Sequence, residues 1–261
     1  MPTRDDERPV RRPIVLAIPG TLCAPTVFRP LAQRLAGQVE FDAVSWMTDS
    51  GPWDLGTIAD RLAAHITRRH DRSVIVLGHS TGGAIALRLV ADHAGLVAGL
   101  LLVDTGAHMR GHGDVDAILA SLARDWGPRL HAQVLDRSFA TPLDPAVRDE
   151  LLDYAAAVPA EAALEALRSQ REMDLTPGLA RIDCPVTVLH GLHDPTRTPD
   201  QARELADAIP GARLRLLDTG HTPVHEDPDT VAAELRALLA RSRERLTATS
   251  APDDPAGPVA G

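Results

Sequence analysis

Short apolar runs recur along the chain at positions 14–18, 41–46, 74–77, 97–103, 186–190 and 213–217. Stretches with apolar residues at helical spacing fill most of the gaps, at about 25–37, 54–70, 81–94, 199–209 and 228–243. Runs of this length bounded by turn residues predict buried strands, and their alternation with helices predicts an α/β fold, a mostly parallel sheet of about six strands flanked by helices. One interval breaks the rhythm. Between 105 and 177 no strand pattern occurs, while helical patterns appear near 114–126, 128–137, 145–156 and 159–171, punctuated by Pro128, Pro142, Pro145 and Pro159. This predicts a helical cap, 105–177, inserted into an α/β core of 13–104 and 178–243 whose strands do not thread through it. The ends, 1–12 and 244–261, are charged or rich in Pro, Asp and small residues, and predict disordered tails.

Composition narrows the class. The chain has 261 residues, 44% of them apolar, enough to bury a sizeable core. Aromatic residues are only 3%, so stacking platforms for bases are scarce, and a net charge of -9 is the wrong sign for a phosphate-binding surface. Nucleic acid is therefore excluded as the expected partner. Cys23 and Cys184 are too few for a disulfide framework or a four-ligand zinc site. No signal peptide or run of membrane-spanning length is present, which predicts a cytoplasmic protein acting on a small molecule away from the membrane, as monomer or homodimer.

The chemistry concentrates in VIVLGHSTGG, 74–83. An apolar strand runs into a helix opening through Gly78-His79-Ser80-Thr81-Gly82, and small residues are needed where the two backbones approach. Ser80 is thereby pushed outward at the strand end, and the N–H of Thr81 falls at a helix N-terminus, where negative charge is favoured. A serine hydroxyl needs a base and a group that orients the base. Asp194, in GLHDPTRTP, and His221, in DTGHTPVHEDP, each follow a predicted strand, in the order serine, acid, histidine. Asp104, ending the strand LLLVD, is a rival acid. A second oxyanion donor is expected from the loop AIPGTLCAP, as the N–H of Thr21 or else of Leu22.

Together, PG after the first strand, GHSTGG, HGLHDPTRTP and GHTPVHEDP make the chain resemble α/β-hydrolase-fold proteins over about 13–243. The resemblance implies a serine esterase or lactonase-like enzyme with a helical cap, His221 rather than His225 as base, and Glu226 and Pro228 leading into the last helix. It calls for no cofactor and no metal. Two features depart from the family's pattern: no hairpin precedes the first strand, and Pro19-Gly20 stands where His-Gly is common.

Other candidates carry structural readings beside functional ones. His79 reads as packing away from the serine's face, and Cys23 as a packed thiol close to the oxyanion loop. His108, Arg110, His112 and Asp114 suggest a metal site, but Gly111 and Gly113 and the missing cysteine favour a polar hinge of the cap. His65, His70, His93 and His131 read as surface or core-edge residues, and His190 and His193 as flanking the acid loop. Leu22, His108, Arg168 and Gln170 are the candidate substrate contacts, with Arg171 beside them. The predicted function is cofactor-independent hydrolysis of a small or medium carboxylic ester, lactone or thioester. The alternatives are a cofactorless lyase on the same serine and histidine, favoured by extra bases such as His108 and His112, and a catalytically silent ligand-binding protein.

Overall fold

The computed structural model describes residues 11–249. Six strands form one wholly parallel sheet: β1 (Ile14–Ile18), β2 (Glu40–Ala43), β3 (Val74–His79), β4 (Val97–Val103), β5 (Val186–Gly191) and β6 (Arg213–Leu217), in the order β2-β1-β3-β4-β5-β6. The helices are α1 (Arg29–Arg34), α2 (Leu55–Arg69), α3 (Thr81–Asp92), α4 (Val115–Asp125), α5 (Pro128–Arg137), α6 (Pro145–Ala157), α7 (Ala160–Glu172), α8 (Thr176–Leu179), α9 (Pro199–Asp207), α10 (Pro223–Glu226) and α11 (Pro228–Thr249).

The strand sequences explain the layering. β1, β3 and β5 are buried along their whole length, as parallel strands covered on both faces must be. Successive side chains alternate between faces. Ile14, Leu16 and Ile18 join one apolar cluster with Ile58 and Leu62 of α2 and Ile85 and Leu89 of α3. Val15 and Ala17 join the other, with Leu31 of α1 and Leu235 and Leu238 of α11. The edge strands β2 and β6 are only partly covered. The chain crosses from β1 outward to β2, then back to β3 on the other side, so the β1 and β3 carboxyl ends flank a topological switch point, where α/β sheets open a crevice.

Several boundaries differ from the sequence reading. The second strand is shorter than 41–46: β2 pairs with β1 only from Ile14↔Glu40 to Ala17↔Ala43. Beyond it Trp46 turns inward, and its indole N–H donates to the Pro19 carbonyl at 2.9 Å. The apolarity of Trp46 and Met47 thus serves a buried loop rather than a strand. The single helix expected at 25–37 is a 3-10 turn, Pro25–Phe28, followed by α1, because Pro30 has no N–H to continue an α-helical ladder through it. The last helix does not stop at 243. It runs to Thr249, with Ser242 buried and Arg245 paired to Asp183 at 2.7 Å, so 244–249 is helix rather than tail. Residues 1–10 and 250–261 of the predicted tails lie outside the described residues.

The insert between β4 and β5 carries α4 to α8 and no strand. It is less separate than the sequence suggests. Ala155, Val158, Ala162, Ala163 and Ala166 belong to the same apolar cluster as Ile58 and Ile85, and Ser169 Oγ accepts the first helical N–H of α2, from Leu55, at 3.0 Å.

Candidate active site

The turn after β3 is under strain that its neighbours hold in place. Ser80 has φ 54° and ψ -121°, a backbone conformation costly for a residue with a Cβ. A Cβ on Gly78 would lie 2.5 Å from the Gly82 carbonyl, and one on Gly82 would collide with the Ile18 carbonyl. The Ser80 N–H donates to Val103 at 2.9 Å, and its carbonyl accepts from the Thr105 hydroxyl at 2.7 Å. The serine side chain is left at the carboxyl edge of the sheet.

His221, on the loop after β6, brings Nε2 to 2.9 Å from Ser80 Oγ, and its Nδ1 lies 2.8 Å from Asp194 Oδ2. The second carboxylate oxygen of Asp194 accepts from the Thr196 N–H at 2.7 Å and the Thr196 hydroxyl at 2.6 Å. Burial alone would push the Asp194 carboxyl up, but the hydrogen bond and charge of His221 and the Thr196 donors outweigh it and hold it well below the usual carboxylate range. A carboxylate acceptor at Nδ1 fixes the tautomer in which Nε2 is free to accept the serine proton.

His79 is more than packing. Burial, with the nearby His221, lowers its pKa to about 3, so the ring is neutral, and its Nε2–H donates to the His221 carbonyl at 2.7 Å. It props the histidine loop from below. Asp104 has φ 46°, is fully buried, and accepts from the Gly191 N–H at 2.9 Å; its Oδ1 also lies 3.0 Å from His190 Nδ1, without the alignment of a hydrogen bond. Its carboxyl stands beside the other two groups: ligand atoms of Asp104, Asp194 and His221 lie within 4.8 Å of one another. Burial first, and then the charge of Asp194, push the Asp104 carboxyl well up, which keeps it protonated. Of the two aspartates, Asp194 contacts the His221 ring, while Asp104 backs the acid loop.

On the oxyanion side, the N–H of Leu22 donates to Met47 Sδ at 3.1 Å and is therefore occupied, although Leu22 lines the cavity. The Thr21 and Thr81 hydroxyls meet at 2.9 Å, and the Thr81 hydroxyl donates to Gln170 Oε1 at 3.3 Å. Gln170, buried on α7, thus ties the insert to Thr81.

A cavity of about 140 Å³ opens over Ser80, walled by Met109, Ile118, Leu122, Val134 and Leu135 with His112, Arg137 and Arg197 among them. Two expected contacts are elsewhere. His108 turns to Glu204 on α9, at 3.1 Å, because its backbone passes beside that helix. Arg168 lies on the exposed face of α7, and Arg171 pairs with Asp116. The stretch read as a polar hinge is stitched down: Gln201 Nε2 donates to the Arg110 carbonyl at 3.0 Å, and Asp114 caps α4 through the Ala117 N–H at 3.0 Å. His112, not His108, faces the cavity, and burial, together with Arg197, lowers its pKa to about 4. Burial pushes the Cys23 thiol up to about 12, so it is not a thiolate. Away from the cavity, Asp42 Oδ2 lies 2.7 Å from His65 Nε2 and 3.3 Å from His70 Nε2; these three and the Asp104 group are the sets among the described residues with metal-ligand spacing. His193 pairs outward with Asp218 at 2.7 Å.

Sequence reasoning missed Arg197 and the roles of His79 and Met47. Arg197 sits three residues after Asp194 in DPTRTP, a closeness that marks it as near the site but does not reveal its burial.

The sequence model for the alpha/beta hydrolase family matches residues 14–234. The chain is 30% identical over 205 residues to a lipase, LipV, of Mycobacterium tuberculosis, spanning 73% of this chain and 77% of that one. It is 28% identical over 199 residues to a pimeloyl-[acyl-carrier protein] methyl ester esterase of Neisseria meningitidis, spanning 72% and 76%. The fold resembles that of an esterase from Exiguobacterium antarcticum with a TM-score of 0.79 at 20% identity, covering 88% of this chain and 92% of that one. Among the described residues, no helix is long and apolar enough to cross a membrane.

Proposed function

The chain belongs to the alpha/beta hydrolase family, and from that premise we propose that it cleaves a small or medium carboxylic ester, lactone or thioester through an acyl-enzyme on Ser80. The observation that carries this reading is the unbroken line Ser80 Oγ, His221, Asp194, with contacts of 2.9 and 2.8 Å. Ser80 Oγ attacks the carbonyl carbon while its proton passes to His221 Nε2. The C=O π pair moves onto oxygen, and the N–H groups of Thr21 and Thr81 receive that oxyanion, an effect of about 3 kcal/mol per donor. His221 returns the proton to the leaving oxygen or sulfur as the C–O or C–S bond breaks. Water, deprotonated by the same nitrogen, then releases the acid and restores Ser80.

The test is labelling with a fluorophosphonate followed by turnover of acyl esters of graded length. Wild type is expected to label and turn over; Ser80→Ala is expected to do neither while melting within a few degrees of wild type. Turnover by Ser80→Ala within about tenfold of wild type refutes the nucleophile. One observation favours a second reading, elimination by a lyase: neutral His112 shares the cavity wall with His221 and its Nδ1 has no partner. That reading takes over if a substrate loses its leaving group with no acyl-enzyme burst.

A further inference from the structure

The cavity over Ser80 has no carboxylate among its lining residues, in a chain whose net charge is -9. Two arginines line it. Arg137 stands exposed at the end of α5, and Arg197 is 95% buried, with 5% of its surface accessible. A buried guanidinium is costly unless its charge and its five N–H donors are met. Here Nη2 donates to the His108 carbonyl at 3.2 Å, and no other side-chain hydrogen bond or ion pair of Arg197 occurs among the described residues. The nearby acids are already engaged. Asp194 is taken up by His221, by Thr196 and by the backbone N–H of Arg197 itself at 3.3 Å, and Asp104 by Gly191. Gly106 makes the room, since a Cβ there would lie 2.5 Å from Nη1. Arg197 is therefore a cation with open donors between two spaces: it lines the small, mostly apolar cavity that also holds the nucleophile, and a narrower cleft with Gly106, His108 and Glu204, whose carboxylate is engaged by His108 at 3.1 Å.

We propose that Arg197 is an anion anchor, and that the substrate is an ester or lactone carrying a carboxylate at the end of a short apolar chain. The inference rests on the hydrolase reading above. A single buried cation with planar paired donors matches a monoanionic carboxylate, which it can hold through two parallel N–H···O bonds. The apolar wall of Met109, Ile118, Leu122 and Val134 covers the chain between the carboxylate and the reacting carbonyl. A neutral ester of the same length leaves the buried donors unmet, and a site built on charged hydrogen bonds discriminates against it.

The experiment compares monomethyl succinate, glutarate and adipate with methyl butanoate, pentanoate and hexanoate, using the full chain. Acetoxy acids of matching length move the carboxylate to the alcohol side and tell which part of the substrate bears it. In wild type, the ratio of kcat/KM for anionic over neutral ester is expected to exceed one in at least one series. In Arg197→Gln that ratio is expected to fall by about tenfold to a hundredfold, mainly through KM, with partial recovery in Arg197→Lys. Arg137→Gln, at the exposed mouth, is expected to move it less than about threefold. A wild-type ratio below one at every length, or a ratio unchanged in Arg197→Gln, overturns the proposal; lowered melting with an unchanged ratio assigns Arg197 to holding the His108 carbonyl instead. Binding is read without turnover, as the thermal shift that adipate and glutarate induce in wild type, keep in part in Arg197→Lys and lose in Arg197→Gln. No shift in wild type overturns the anion site even where esters are hydrolysed. A shift without fluorophosphonate labelling sinks the hydrolase reading and leaves the anion site standing.

Discussion

Asp104 and Asp194 end neighbouring strands and bring their carboxyl groups to the same histidine, yet their surroundings pull their proton affinities apart. Asp194, bonded by His221 and Thr196, is held ionised, and Asp104, buried beside that charge, is held neutral. Asp194→Asn is expected to keep the geometry but favour the wrong imidazole tautomer, with kcat lowered on the order of 10⁴, the figure of the serine-protease template. Asp104→Asn preserves a neutral group and is expected to stay within about tenfold; steady-state kinetics of the two variants checks both. Their effects on stability run in opposite directions with pH. The Asp194 contribution is present above the unfolded carboxylate pKa and is lost as pH falls through the depressed folded value. Asp104 does the reverse: below the unfolded pKa, about 3.9, both states carry the proton. Above that value the unfolded chain ionises while the fold keeps the proton, so stability falls as pH rises toward the raised folded pKa. The melting temperature of Asp104→Asn minus that of wild type is therefore expected to increase from pH 4 upward. A flat difference would mean that Asp104 ionises in the fold.

At the scale of elements, the elbow between β3 and α3 was legible because it carries a local constraint: Gly78 is required where β3 meets the backbone of Gly82 and Gly83, although Gly82 itself answers to the Ile18 carbonyl of the neighbouring β1. The oxyanion side was half legible. Gly20-Thr21 marks the loop, but the choice between Thr21 and Leu22 depends on Met47, which arrives from beyond β2 to occupy the Leu22 N–H. Contacts across the insert were legible only as residue types. Gln170 reaches Thr81, while Arg168, two residues before it on α7, points to solvent. Removing the Gln170 amide is expected to loosen the Thr81 end of the proposed oxyanion pair and leave the Thr21 to Thr81 hydroxyl contact. The loss of one hydrogen bond, about 1 kcal/mol, predicts that Gln170→Leu lowers kcat by about fivefold with KM changed less. A larger effect on KM than on kcat would place Gln170 in ground-state binding instead.

For the whole molecule, the insert over the sheet's carboxyl edge is both cavity wall and core. Ala155, Val158, Ala162, Ala163 and Ala166 are sealed against the helices on one face of the sheet. Joining Thr105 to Pro177 through a short linker would uncover that surface, and apolar area costs about 25 cal/mol per Å² when returned to water. The truncated chain is expected to aggregate or melt without cooperativity, by size-exclusion chromatography and thermal denaturation. A soluble, cooperatively melting product would show that the α/β core stands without its cap.

The sequence alone determined the alternation of strands and helices, the interval without strands, the elbow serine and the order serine, acid, histidine. Each depends on periodicity or on turn chemistry within a few residues, so each leaves a local trace. Only the tertiary structure decided which aspartate touches His221, that His112 and not His108 faces the cavity, that His79 supports the histidine loop, and that Arg197 is buried with open donors. These depend on which side chains from distant segments meet at one edge of the sheet. A histidine or arginine in a loop has the same local pattern whether it turns toward solvent or inward; the direction is set by what packs against it.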